Sequence, residues 1–355
     1  LFASADGHIG QLLALEQVPA AAWSGALGRL DPSDPRGVWG PGVPSTSLPA
    51  ALDPAQGYLV SANNTPLLSS PPIVANPNNN DRVARISELI EAHTPVSLAD
   101  AAEIQRDVLG RSALRCAAAL LAAWPGAGAR GPAPASDPAW AAQRAEVAAW
   151  DGRFAADSAG ALAYVRWLDA LLEEHHREAW GRAIAESLRS SPAVHDFVAR
   201  ELERGEIPRE TLERALARAA ARQQRHPDER TWGDVHRLPL QHPLGRLPLL
   251  GRPWRDGLLP TSGMASTVKK SAGPLSAKPH QAFFGAQSRF LADLSDPDQT
   301  WFVLLGGQDG YTGSANTLDQ VPLFEAGQSL QVPLGSRASI ERLFPRSIAL
   351  RSSQP

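Results

Sequence analysis

The chain has 355 residues, a net charge of −3, 43% apolar residues and 20% charged residues. That length allows about two domains or one large one, and the composition supports a buried core rather than wholesale disorder. A near-neutral charge argues against a general nucleic-acid or membrane-surface binder; the single Cys116 excludes an internal disulfide, and no run of about 18 apolar residues is present to span a membrane.

Residues 1–80 carry strand and turn signals. Residues 1–14 read as a hairpin with Asp6-Gly7 at the turn. Gly57-Tyr58-Leu59-Val60-Ser61-Ala62 reads as a second short strand, closed by Asn63-Asn64-Thr65-Pro66. Residues 31–55 between them are rich in Pro, Gly, Ser and Asp and read as an ordered loop or a linker. Residues 81–225 read as helix. Ser97-Leu98-Ala99-Asp100 has the form of a capping box opening a helix through Gly110. Further helices are expected over 111–124, 138–149, 158–190, 192–204 and 208–224, with Pro208 in the first turn of the last. The Gly/Pro/Ala stretch 125–137 breaks the series. Residues 226–355 return to strands and turns: Trp301-Phe302-Val303-Leu304-Leu305 is an apolar run of strand length closed by Gly306-Gly307, and short apolar segments follow over 324–334. The order strand, helix, strand reads as α+β or layered α/β. The chain begins at Leu1 and its single methionine is Met264, which reads as a processed product or fragment with any signal peptide upstream.

Local chemistry offers weak candidates. An asparagine held at a strand end, such as Asn63, can donate to a developing oxyanion, although an ordinary Asx turn explains Asn63-Asn64 better on local grounds. Arg82 can orient a carboxylate or stabilise negative charge, although a solvated helix N-terminus explains Asp81-Arg82 better on local grounds. His175 and His176 are adjacent, lack the i, i+4 spacing of helical metal ligands, and read as a solvated face. His236 and His242 have no recognisable metal spacing, Gly306-Gly307-Gln308-Asp309-Gly310 lacks the Lys-Ser/Thr of a phosphate loop, and no Gly-x-Ser-x-Gly elbow is present.

The order of several motifs goes further. Leu1 to Gly10 is similar to the strand pair "ADxxGNIG", followed by Val18-Pro19 for "(G)xxP", and residues 53–66 are similar to "NPxxGYIxxANNxP". Asp81-Arg82-Val83-Ala84-Arg85-Ile86 is similar to "xxRxxRI", and Ser97 to Asp107 to "TxEDxxxxQxD". Trp150-Asp151-Gly152 with Asp157-Ser158, Trp232-Gly233 with His236, His242-Pro243-Leu244-Gly245, Ser266-Thr267-Val268, Gly285-Ala286-Gln287-Ser288-Arg289, residues 306–310 and Asp319-Gln320 continue the series. In this order, over nearly the whole chain, they resemble the penicillin acylase family of N-terminal nucleophile amidohydrolases.

The resemblance implies part of the αββα sandwich of that class, with strand-rich core segments at 1–80 and 226–355 and a helical insertion at 81–225. It implies the C-terminal portion of the large chain of an autoproteolytically processed, periplasmic or secreted acylase that hydrolyses an N-acylated small molecule of penicillin or acyl-homoserine lactone type. Asn63 maps onto the oxyanion asparagine and Arg82 onto the arginine that supports the active site. The nucleophile would stand upstream, so partners would be that segment, the small chain of the same precursor and an acyl-amide substrate; this chain alone would be inactive. No cofactor is required for the chemistry. The family's structural calcium takes an aspartate between "NNxP" and the arginine, and residues 67–80 contain none. Lys269 stands for an asparagine after "STV", Asp309 for the serine of "GGQSG", and residues 314–317 for "SPHY". These departures motivate an alternative, a catalytically inactive scaffold that binds a ligand or partner.

Overall fold

A computed structural model describes residues 1–13, 17–18, 33, 43–44, 46, 48–64, 80–124, 138–252, 255–311, 313–346 and 348. The elements in chain order are β1 (Phe2–Ala3), β2 (Ile9–Gln11), β3 (Gln17–Val18), β4 (Val43–Pro44) and β5 (Ala51–Leu52), then α1 (Asp81–Ala92), α2 (Leu98–Ile104), α3 (Arg111–Ala122), α4 (Pro138–Ala149) and α5 (Ala159–Leu171). A π-helical turn at Leu172–His176 leads to α6 (Arg177–Trp180), α7 (Arg182–Arg189), α8 (Val194–Glu203), α9 (Arg209–Arg225) and α10 (Trp232–Val235). Strands β6 (His236–Gln241), β7 (Arg255–Pro260), β8 (Ser271–Ala272), β9 (His280–Gln281), β10 (Phe284–Gly285), β11 (Ser288–Ala292) and β12 (Thr300–Leu304) follow, then α11 (Val321–Ala326), β13 (Leu330–Gln331) and α12 (Arg337–Leu343). Leu1–Ser87, Ala292–Thr300 and Val332–Pro355 form one compact unit; Glu88–Leu291 and Trp301–Gln331 form a second.

In the first unit, β1 and β2 make an antiparallel hairpin, Phe2 opposite Gly10, and β5 joins β2 with Leu52 opposite Gly10. Gly7 N–H donates to the Ser4 carbonyl, which puts Ala5-Asp6 at the turn centre and Gly7, at φ +94°, in the following left-handed position where glycine is unstrained. The Gly57 to Ala62 strand is not formed: among the described residues no strand pairs with it, and an extended segment without a ladder partner remains a loop. Most of 31–55, together with 125–137 and Thr65-Pro66, lies outside the described residues.

The second unit is built on α5, which is buried nearly all round, as a helix without a polar face must be. α4 and α9 pack on it, and α8 packs on α3. α3 and α9 turn stripes at helical spacing inward: Ala113, Cys116, Ala117 and Leu120 on one, Leu212, Ala215, Leu216 and Ala219 on the other. An aromatic group closes the core. Trp150 stacks on Tyr164 with centroids 4.8 Å apart, and Phe154 meets Trp150 and Trp232 edge-on at 5.1 and 5.6 Å.

Three helix expectations are corrected. The Ser97–Asp100 capping box is present, but its helix ends at Ile104, because 107–110 turn outward to bond elsewhere: the Asp107 carboxylate takes Leu109 N–H, and Gly110 N–H reaches the Gly152 carbonyl. The helix expected over 158–190 is interrupted by the π turn and by Gly181 at φ +81°, a conformation that ends a helix turn and redirects the chain. Pro208 is the N-cap of α9, outside its first turn.

Many of the ordered motifs are fold staples. Gly233 N–H donates to the Ala156 carbonyl at 2.7 Å and Trp232 Nε1 to the Gly263 carbonyl at 3.1 Å. A Cβ on Gly233 would lie 2.9 Å from the Ala156 oxygen, so no other residue fits there without displacement. Lys269 N–H donates to the Asp107 carbonyl, and Ser262 Oγ accepts from Ala156 N–H.

Two buried imidazoles make the fold acid-sensitive. Burial pushes His195 and His236 down to about 3. An unfolded chain protonates them near the ordinary value of about 6.5, so unfolding takes up protons between those values and stability falls as pH drops through that window. The ring resonances of both should therefore hold still from pH 8 to 5; a midpoint near 6.5 for either would contradict their burial as neutral groups. Phe154→Ala should lower unfolding free energy by about 3–5 kcal/mol, read by urea titration; a loss under about 1 kcal/mol would show that Phe154 does not close the core.

Candidate active site

The first unit builds its site from the hairpin outward. Asp53 is the clamp: its Oδ1 accepts from Ile9 N–H at 2.9 Å, and its Oδ2 lies 2.7 Å from His8 Nδ1. These bonds, the Ile9 one first, hold the Asp53 carboxyl below its ordinary value. A turn follows, with Gly57 N–H on the Pro54 carbonyl and Gly57 at φ +76°, and Gln56 Nε2 donates to the Tyr58 carbonyl. The chain then reaches Ala62, which is buried, and Asn63, which is exposed and left-handed at φ +60°. Asparagine is among the few residues that tolerate that region.

Arg82 enters from the first turn of α1. Its Nη2 donates to the Ala62 carbonyl at 2.5 Å and to Asn63 Oδ1 at 2.6 Å. Burial lowers the Arg82 pKa from the ordinary arginine value, but a guanidinium keeps its charge at any working pH. Ala62 N–H donates in turn to Asn64 Oδ1 at 3.0 Å. The consequence for Asn63 is directional. Its carbonyl oxygen faces the cation, so its Nδ2 edge, a donor only, faces the other way. The direction of the Asn63 amide donor is thereby fixed.

The model of the penicillin amidase family matches residues 1–341. This chain belongs to the penicillin amidase family. It is 27% identical over 318 residues to penicillin acylase 2 proenzyme from Pseudomonas sp. (strain SE83), which covers 85% of this chain but 38% of that relative's length. The thermostable penicillin G acylase of Alcaligenes faecalis superposes with a TM-score of 0.58 at 18% identity, over 99% of this chain and 67% of the other. The chain therefore has the N-terminal nucleophile hydrolase fold of the penicillin amidases, in α+β form.

Of the residues read from the sequence, the structure brings Asn63 and Arg82 of this penicillin amidase chain together, 19 positions apart. Gln105 and Asp107 serve packing, Gln105 through Nε2 on the Phe290 carbonyl. Lys269, the replacement after "STV", ion-pairs with Glu325 at 2.9 Å, and Asp309 takes Tyr311 N–H at 2.8 Å. The solvated face expected for the His175-His176 pair is corrected, since His176 is fully buried with Nε2 at 2.7 Å from Glu201 Oε2.

The sequence reading missed a relay in the second unit. His236 Nε2 lies 3.1 Å from Ser271 Oγ, His236 Nδ1 lies 2.8 Å from His280 Nε2, and His280 Nδ1 donates to the Lys278 carbonyl. His280 stands 44 positions from His236, a separation no local pattern exposes. The order resembles nucleophile, base and orienting group. Yet Ser271 is buried and paired opposite Gly285 in a strand ladder, and burial lowers the His236 pKa to about 3, which makes it a weak base at neutral pH. The relay is a structural one. Ser271 also lines a cavity of about 630 Å³ with Leu238, Thr261, Lys270, Phe284 and Leu305.

Backbone strain at Asn63 is separable from its side-chain role. Glycine accepts φ +60° freely, whereas a β-branched residue there costs about 1–2 kcal/mol. Asn63→Gly and Asn63→Val both lose the Arg82 bond and should both lower the thermal midpoint, Asn63→Val by more; the reverse order would contradict the left-handed backbone.

Proposed function

We propose that this chain is the C-terminal part of an acylase that hydrolyses the amide bond of an N-acylated small molecule, of penicillin or acyl-homoserine lactone type, through an acyl-enzyme. The nucleophile comes from a segment of the same precursor upstream of this chain, released at a new N-terminus by autoproteolysis, as the proenzyme name of the Pseudomonas relative supports. A small chain of that precursor completes the acyl pocket, and the assembly works in the periplasm or outside the cell. No helix among the described residues is long and apolar enough to cross a membrane.

One observation carries the reading: Arg82 holds Asn63 Oδ1, which aims the Asn63 Nδ2 donor. The nucleophile attacks the amide carbonyl, negative charge develops on its oxygen, and Asn63 donates to that oxygen. Because the donor is fixed beforehand, little reorganisation is needed as charge appears. Arg82 is a positioning residue, acting through Asn63 rather than on substrate. The alternative of an inactive scaffold rests on Lys269 and Asp309, and both have structural partners that account for them.

Two measurements on the complete gene product test this. N-terminal sequencing of the mature fragments should give two chains, the larger beginning with Ser, Thr or Cys; a single uncut chain contradicts it. Asn63→Ala should lower kcat for an acyl-amide substrate by about 10²–10³ with little change in KM. Activity surviving within about twofold in a folded variant sinks the assignment.

A further inference from the structure

In an α-helix, neighbouring side chains point about 100° apart, so adjacent histidines do not share an ion. The π turn at Leu172–His176 changes that. The rings of His175 and His176 lie with centroids 4.8 Å apart at 81° to one another. Two imidazoles on one tetrahedral ion, with metal–nitrogen bonds of about 2.0–2.1 Å, have centroids about 5 Å apart.

Glu201 of α8 completes the group. One ligand atom from each of His175, His176 and Glu201 lies within 4.8 Å of the other two. His176 and Glu201 are buried, and His176 lies against the rings of Trp180 and Phe197. His176 Nε2 meets Glu201, whereas His176 Nδ1, also buried, has no hydrogen-bond partner among the described residues. Glu201 lies on the Nε2 side of the ring, so an ion held by both His176 and Glu201 sits on that side, between Nε2 and the carboxylate.

Charge singles out the same place. Glu173 is matched by Arg177 and Arg189, and Glu174 by Arg214 and Arg218. Among the described residues the Glu201 carboxylate has an imidazole as its partner and no arginine. A divalent cation between the two imidazoles and this carboxylate supplies the positive charge that no arginine brings it among the described residues. Two imidazoles and one carboxylate favour a borderline transition metal over calcium or magnesium, which prefer all-oxygen shells.

We propose that His175, His176 and Glu201 bind one divalent transition-metal ion of the zinc class. The ion joins the π turn to α8 and keeps a fourth position open to water. This site is independent of Asn63 and Arg82.

Cobalt(II) and zinc(II) are the probes, on the metal-stripped complete gene product. One equivalent of cobalt should give the intense visible absorption of a tetrahedral site, and zinc should displace it at 1:1 stoichiometry. His175→Ala removes no hydrogen bond found among the described residues and should weaken zinc binding at least tenfold by calorimetric titration; Glu201→Gln should do the same, and His226→Ala should leave it unchanged. Unaltered zinc affinity in His175→Ala overturns the proposal. So does a wild-type protein that shows no tetrahedral cobalt band at saturation, a readout that needs no variant to fold.

Discussion

The guanidinium of Arg82 gives Asn63 its orientation. It bonds the backbone carbonyl of Ala62 and the side-chain oxygen of Asn63 from a half-buried position, where charge-assisted hydrogen bonds are worth about 1.5–3 kcal/mol each. A left-handed asparagine costs about 1 kcal/mol or so. The bonds outweigh that strain, so the conformation persists. The result is an amide whose two ends are no longer interchangeable: oxygen to the cation, N–H outward. The hairpin and the Asp53 clamp bring the loop into place, but Arg82 decides which atom it presents.

The second unit shows why a family pattern survives over most of a chain with few reactive groups in it. Its motif segments are tied through backbone: Gly152 to Gly110, Gly233 to Ala156, and Lys269 to Asp107. At Gly233 a Cβ would lie 2.9 Å from the Ala156 oxygen, and where an indole N–H is buried it needs a carbonyl, as Trp232 finds at Gly263. Packing alone is enough to hold these residue types in place, and their order follows from the topology.

Legibility in the sequence followed the same division. The apolar stripes of α3 and α9 and the Ser97–Asp100 cap are local, and they form where their spacing places them. The π turn inside the expected helix over 158–190 is invisible to spacing, because the same residues suit i→i+4 and i→i+5 bonding alike. Tyr58 to Ser61 has strand-forming residues but no ladder, since pairing depends on a partner elsewhere in the chain. The pairing of Asn63 with Arg82 is equally non-local: each looked like an ordinary surface residue until the motif order placed both at one site. His176 misled for the converse reason. Its charged neighbours in sequence suggested solvent, whereas they turn to arginines and leave the imidazole against Phe197.

The proposed oxyanion role depends on which atom Asn63 turns toward the reacting carbonyl. The direct measurement is a crystal structure of the complete processed protein with a boronic or phosphonic acid analogue of the tetrahedral intermediate bound to its nucleophile. The account predicts Asn63 Nδ2 at hydrogen-bond distance, about 2.7–3.1 Å, from the anionic oxygen, with Arg82 still on Asn63 Oδ1. An anionic oxygen held by other donors, with the Asn63 amide turned away from it, would contradict the account.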